Sequence, residues 1–157
     1  MTTKNKIVGL KTLRKKISTL RQHGKTIAFT NGCFDILHFG HISYLEKARG
    51  EERILIVGVN SDASVRRIKG PQRPIVPQRE RARVLAALAC VDFVVIFNED
   101  TPLKIIESLK PDILIKGADW KGKDVVGSDV VKSYGGRVEL VRYLPKFSST
   151  NIIEMIV

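Results

Sequence analysis

The chain has 157 residues, 43% of them apolar and 27% charged, enough for one domain with a sizeable core but too few for two comfortable ones. No apolar run approaches the ~20 residues of a bilayer-spanning helix, and Cys33 and Cys90 stand far apart outside any CxxC pattern, which argues against a disulfide framework or a zinc knuckle. The net charge of +11 is uneven: residues 1–34 hold eight Lys or Arg and no acid, and residues 66–83 hold seven against Glu80.

Aromatic residues make up only 6% of the chain, whereas a nucleic-acid binder interleaves its basic face with stacking rings. The first basic block therefore reads as a solvated helix face and the second as part of a polyphosphate site; nucleic acid and membrane are not expected partners. Met1–Lys6 lacks the apolar core of a secretory signal, so the expected location is cytoplasmic.

In chain order, Leu10, Leu13, Ile17 and Leu20 recur at helical spacing and Gly24 suits the C′ position, predicting an amphipathic helix over 10–23. Strand-like runs then follow at Thr26–Thr30, Ile54–Val59, Phe93–Phe97, Ile113–Ile115 and Val138–Val141. Helical patterns fall between them over 40–49, 62–68, 79–89, 102–109 (Thr101 as N-cap, Pro102 at N1) and 126–134, with a last short helix from Ser149. Apolar β-branched runs separated by helices predict a Rossmann-like three-layer α/β/α fold around a five-stranded parallel sheet. Residues 1–24 are expected to form the lead-in and amphipathic helix, and residues 25–157 the α/β domain. Ligands of such sheets bind beyond the carboxyl ends of the strands, where the strand order switches.

The segment Thr30-Asn31-Gly32-Cys33-Phe34-Asp35-Ile36-Leu37-His38-Phe39-Gly40-His41 falls at that position after the first strand. It offers backbone N–H groups, a helix N-terminus and two imidazoles to one anion, which fits the phosphates of a nucleotide. Two histidines at i and i+3 also admit a metal pair or a packed pair. Zinc needs three or four ligands, and the one other histidine is His23. Cys33 reads as a packing residue or a nucleophile, and Cys90 as core.

Further motifs extend the pattern: Ile56-Val57-Gly58-Val59-Asn60-Ser61-Asp62, Lys69-Gly70, Arg73-Pro74-Ile75, Val91-Asp92, Pro111-Asp112, Lys116-Gly117-Ala118-Asp119-Trp120 and Ser148-Ser149-Thr150-Asn151-Ile152-Ile153. With the His-x-Gly-His signature they resemble the nucleotidyltransferase (HUP-type) superfamily, and within it the adenylyltransferases of ADP-heptose synthesis, from about residue 6 onward. The resemblance implies transfer of an adenylyl group from ATP to D-glycero-β-D-manno-heptose 1-phosphate, releasing pyrophosphate, for lipopolysaccharide core or a related surface glycan. It also implies a separate heptose kinase upstream and a homodimer.

By the same resemblance, His38, His41 and Lys69 are catalytic, Lys69 closing from a mobile loop. Asn31, Gly32, Cys33, Phe34, Gly40, Arg81, Lys116, Gly117, Ser148, Ser149 and Thr150 bind nucleotide. Asp35, Asn60, Asp62, Asp119 and Trp120 serve the acceptor. Mg2+ rides on the phosphates of the ATP co-substrate, with no protein metal site. Other readings stand beside these: an Asx-turn or helix cap for Asp35 and Asp119, capping of the next helix by Ser61 or Asp62, capping by one of the three hydroxyls at 148–150, and edge packing for Trp120. Lys146 stands where the family carries a small residue, usually Gly, which places the contacts of Ser149 and Thr150 in question. The alternative enzyme is a cytidylyltransferase acting on glycerol 3-phosphate or another small phosphate. The alternative of another class is a non-catalytic nucleotide- or nucleic-acid-binding module.

Overall fold

A computed structural model describes residues 1–121, 123–142, 144 and 148–156, Trp120 by its backbone alone. Five strands form one parallel sheet: β1 (Thr26–Gly32), β2 (Arg53–Asn60), β3 (Phe93–Phe97), β4 (Ile113–Gly117) and β5 (Arg137–Val141), in the order β3-β2-β1-β4-β5. The helices are α1 (Thr3–Lys6), α2 (Leu10–Gln22), α3 (Phe39–Arg49), α4 (Asp62–Lys69), α5 (Gln78–Ala87), α6 (Leu103–Leu109), α7 (Ser128–Ser133) and α8 (Ser149–Ile156), with a 3-10 turn at Ala118–Trp120.

Alternation along the strands feeds two cores. Ala28, Leu55, Val57, Val59 and Val94 pack with Leu45 and Ala48 of α3 and Ala82 and Leu85 of α5. On the opposite face Ile27, Phe29, Ile56 and Leu114 pack with Leu13 and Ile17 of α2, Ile105, Ile106 and Leu109 of α6, and Val131 of α7. Both faces are thus covered by helices, which is why these strands read as continuous apolar runs.

Strand and helix boundaries lie within two residues of expectation for most elements. α2 ends in a Schellman motif: Gly24, at φ +69, donates its N–H to the Arg21 carbonyl, and Lys25 donates to Leu20. Of the expected stripe, Leu13 and Ile17 are buried and Leu20 half-buried, while Leu10 is 38% exposed at the first turn. α6 starts one residue later than expected, with Pro102 in the N-cap position. α7 is shorter than its apolar pattern, because Gly127, at φ +87, sets its start and Tyr134 its end.

At the amino edge of the sheet, two aspartates repeat one device. Asp112 accepts the Ile27 N–H on Oδ2 at 2.7 Å and donates its own N–H to the Ile27 carbonyl. Asp92 does the same with Leu55, at 2.8 Å, and pairs with Arg49 at 2.8 Å. These carboxylates fix strand register at the end of the sheet remote from the cleft. A parallel bridge from Ile7 to Val94 and a Val8 N–H to Val94 carbonyl bond fasten the N-terminal segment along β3. Nearby, Lys6 donates to the carbonyls of Leu88 and Val91.

Candidate active site

Strand order reverses between β1 and β4. β1 pairs with β2 from Thr26↔Arg53 through Gly32↔Val59, but with β4 only at Ala28↔Ile113 and Phe29↔Leu114. Beyond Phe29 the carboxyl ends of β1 and β4 are unladdered, and a cleft of about 600 Å3 opens there. Across it Lys116 Nζ donates to Asn31 Oδ1 at 2.5 Å, one side-chain bond continuing where the backbone ladder stops.

The cleft brings together Asn31, Gly32, Cys33, Phe34, Asp35, His41, Lys69, Lys116, Gly117, Asp119, Ser148 and Ser149 of the expected residues. It also includes Tyr44, Ala118 and Arg142, which the sequence reading passed over. Arg142 directly follows β5, so the rule that singles out Lys116, a cation at the carboxyl end of a strand, applies to it equally. Tyr44 lies three residues after His41 on α3, and its buried hydroxyl is 2.8 Å from Thr30 Oγ1.

His38 occupies the N-cap of α3 in extended conformation, and its carbonyl accepts the N–H groups of His41 and Ile42. The two imidazoles stack with centroids 3.8 Å apart and an interplanar angle of 27°. The Phe34 ring flanks His41 on another side at 5.2 Å. Burial, with His38 and Lys69 close by, pushes the His41 pKa down to about 3; burial also lowers that of His38. His41 is therefore neutral at pH 7 and presents one N–H donor. Fixed positive charge around the cleft comes from Lys69, Lys116 and Arg142.

Lys116 is 8% exposed, and burial lowers its pKa to about 8 despite the opposing charge of Asp119. Burial raises the Cys33 pKa, with Lys69 and Arg81 opposing; the side chain is a protonated thiol at neutral pH, the state expected of a packing residue rather than a nucleophile. Gly32 allows close approach: a Cβ there would meet the Phe34 ring at 3.0 Å and force it to shift.

Other expected residues lie elsewhere. Arg81 does not line the cleft: its fully buried guanidinium donates to the Val76 and Cys33 carbonyls and to Asp62 Oδ1. Asp62 also accepts the Gln78 N–H, while its own N–H is taken by the Gln78 side chain, so it joins α4 to α5. Asn60 bonds Ser64 Oγ within the first turn of α4, and Ser61 supplies that helix's N-cap. Asp35 borders the cleft, but its carboxylate accepts N–H groups of Ile75 and Val76 and pairs with Arg73 at 2.8 Å. Burial alone would raise its pKa; those hydrogen bonds and Arg73 outweigh it and hold the carboxyl below the ordinary value. The stretch after Lys69, expected to be a mobile loop, is anchored at 73–76 through these bonds.

Gly40 is buried in the first turn of α3. Ser148 takes the N-cap role at α8, accepting the Asn151 N–H, and Ser149 Oγ donates to the Ile36 carbonyl at 2.8 Å. Thr150 is exposed. Lys146, Phe147 and the Trp120 side chain lie outside the described residues.

A Rossmann-like sheet with a cleft of about 600 Å3 at its switch point, an imidazole pair on a helix N-terminus and lysines from two strand–helix units define a nucleotide-handling α/β protein. The model of the family described as cytidylyltransferase-like matches residues 29–155, and the chain belongs to that family of nucleotidyltransferases. The "Bifunctional protein HldE" of Syntrophotalea carbinolica is 57% identical over 92% of this chain and 29% of its own length. The protein of that name from Geotalea uraniireducens is 57% identical over 96% of this chain and 31% of its own. The chain thus spans less than a third of these relatives. A crystal structure of the lipopolysaccharide core biosynthesis protein from Thermoplasma volcanium superposes with a TM-score of 0.62 at 31% identity, covering 78% of this chain and 98% of that one. Pantoate-β-alanine ligase from Francisella tularensis, at 17% identity, shares the fold with a TM-score of 0.60. Among the described residues no helix is long and apolar enough to cross a membrane.

Proposed function

We propose that the chain transfers an adenylyl group from ATP to heptose 1-phosphate, giving ADP-heptose and pyrophosphate. What carries the proposal is His41, in the first turn of α3 and stacked on His38, lining a cleft that also holds Lys69, Lys116 and Arg142. The choice of base and acceptor rests on the 57% identity to the bifunctional HldE proteins and on the 31% likeness to a lipopolysaccharide core biosynthesis protein.

A phosphate monoester has a second pKa of ~6, so the acceptor is largely a dianion at neutral pH and needs no general base. Its oxygen attacks the α-phosphorus of ATP while the bond from that phosphorus to the β-bridging oxygen breaks, and pyrophosphate takes the electron pair. The protein's task is to hold the two anions in line and to meet the charge that builds on the departing oxygens. His41, neutral and oriented by its neighbours, donates one N–H to those oxygens. The N-terminus of α3 adds its positive end. Lys69 and Lys116 neutralise phosphates from opposite sides of the switch point, and Ser148, Ser149 and Arg142 line the remaining wall.

In this proposal Mg2+ arrives with the nucleotide, whose phosphates carry it. The acceptor sugar phosphate has to come from a kinase reaction, and the enzyme acts in the cytoplasm.

The test is pyrophosphate release with ATP, CTP, GTP and UTP crossed against heptose 1-phosphate and glycerol 3-phosphate. The expected result is a kcat/KM for ATP with heptose 1-phosphate well above every other pair. Preference for CTP with glycerol 3-phosphate overturns the assignment.

A further inference from the structure

Arg81 and Asp35 are the most deeply buried charged groups in the molecule's described core, with side chains 0% and 1% exposed. Neither presents its charge to the cleft. Arg81 sends Nε to the Val76 carbonyl at 2.8 Å, one terminal nitrogen to Asp62 at 2.8 Å and the other to the Cys33 carbonyl. Asp35 receives the Val76 N–H at 2.9 Å, the Ile75 N–H at 2.9 Å and Arg73 Nε at 2.8 Å. Val76 is therefore gripped from both sides, by its N–H and by its carbonyl. The circuit closes, because Cys33 and Asp35 flank the same residue, Phe34.

Phe34 sits at φ +48, a conformation that a bulky side chain adopts only when its surroundings impose it. Its ring lies against Gly32, where no Cβ fits comfortably, and 5.2 Å from the His41 imidazole. The His41 ring in turn stacks on His38. Buried ion pairs add little stability over apolar packing of equal volume; here they tie the Cys33–Asp35 turn to Val76 and Arg73.

We propose that Arg81 and Asp35 are positioning residues: together they clamp the Cys33–Asp35 turn onto residues 73–76, so that Phe34 holds the His41 ring in the orientation that meets the phosphates. The inference rests on the reading of His41 as a phosphate donor. It assigns Arg81 no contact with nucleotide.

The variants are Arg81→Met, Arg81→Lys, Asp35→Asn and Phe34→Leu. They are assayed with whichever nucleotide and acceptor the wild type turns over, so failure of the heptose assignment leaves this test intact. Nucleotide affinity is measured by calorimetry. The His41 ring signals of ligand-free protein are followed by NMR and identified by their loss in His41→Ala. Arg81→Met, Asp35→Asn and Phe34→Leu are each expected to lower kcat at least thirtyfold, keep nucleotide Kd within threefold and displace the His41 signals. Arg81→Lys, which keeps the charge but not the three-way fork, should recover part of kcat and part of the shift.

Weakened nucleotide binding in Arg81→Met with His41 signals at their wild-type positions overturns the proposal, since that is how a direct phosphate ligand behaves. Phe34→Leu leaves both ion pairs in place and so decides the question if the charge variants fail to fold. Wild-type kcat and unshifted His41 signals in that variant overturn the proposal too.

Discussion

The two walls of the cleft are built differently. One, formed by the Cys33–Asp35 turn, α3 and the stretch from Arg73 to Arg81, is tied by two buried ion pairs and the hydrogen bonds of Asp35 and Arg81 to backbone groups. The other, formed by Gly117–Asp119, Arg142 and the start of α8, carries few side-chain bonds among the described residues: Arg142 is exposed with no hydrogen bond or ion pair to them, and Ser149 meets the turn through one hydroxyl. A transition state is recognised by groups that need no reorganisation when charge develops, whereas ground-state binding tolerates groups that adjust. The tied wall should therefore control turnover and the open wall affinity.

The largest break in that comparison is at His41. His41→Ala should lose about 10²–10³ in kcat, the usual effect of deleting one preorganised donor. It should still fold, by circular dichroism, and bind ATP within about tenfold of wild type, by calorimetry. Turnover near wild type would make His41 a structural ring and remove the distinction between the walls. Lys69 ends α4 and is exposed, so it belongs to neither wall completely. Lys69→Ala should lower kcat by about thirtyfold, less than His41 because water partly screens the charge, with KM changed less than kcat. A change confined to KM places Lys69 with the open wall.

Lys116 sharpens the comparison through pH. Its charged form prevails below about 8 and is lost above. At pH 9 about a tenth of the lysines remain charged in the free enzyme, so kcat/KM for nucleotide should fall by up to ~tenfold between pH 7 and 9. Lys116→Arg should flatten that limb of the profile; an unchanged profile in this variant assigns the fall to another group. The smallest effect is expected at Arg142. Arg142→Ala should raise nucleotide KM by no more than about fivefold, since an exposed ion contact contributes ~1 kcal/mol or less, and leave kcat unaltered in steady-state assays.

The difference between the walls also marks where sequence reading succeeds. Apolar runs at Ile54–Val59 and Phe93–Phe97 admit few folds, and the small-residue turn before His38 and His41 falls, as its position in the sequence suggests, at the carboxyl end of β1 beside the cleft. Lys116 is legible as a cation at a strand end. Arg81 and Asp35 are not, because their environment is made by contacts remote in sequence: Cys33 lies 48 residues from Arg81, and Ile75 lies 40 from Asp35. A cation that binds phosphate and one that clamps a turn have the same letter and similar neighbours; burial alone separates them. Asp62 has a strand-end position that suggests a ligand, and the structure adds a bond to Gln78 that joins two helices. At Arg142 the signal was present, in the strand-end rule already used for Lys116. The four-residue α1 and the bridge beyond it carry no periodicity long enough to detect.

That bridge bears on how copies of the chain behave toward one another in concentrated solution. β3 is the border of the sheet, and its Phe-Val-Val-Ile-Phe run is short, apolar and uncharged, the composition of a self-associating strand. Ile7 and Val8 occupy its outer hydrogen-bonding side at Val94, and Lys6 anchors the segment that does so. The opposite border, β5, has no such cover among the described residues but carries Arg137 and Glu139, with Glu139 paired to Arg53 at 2.9 Å. One border is shielded by the chain's own beginning and the other by charge. Shortening the N-terminus by nine residues thus bears first on colloidal behaviour, by uncovering an adhesive edge, and leaves the catalytic cleft at the far end of the sheet untouched.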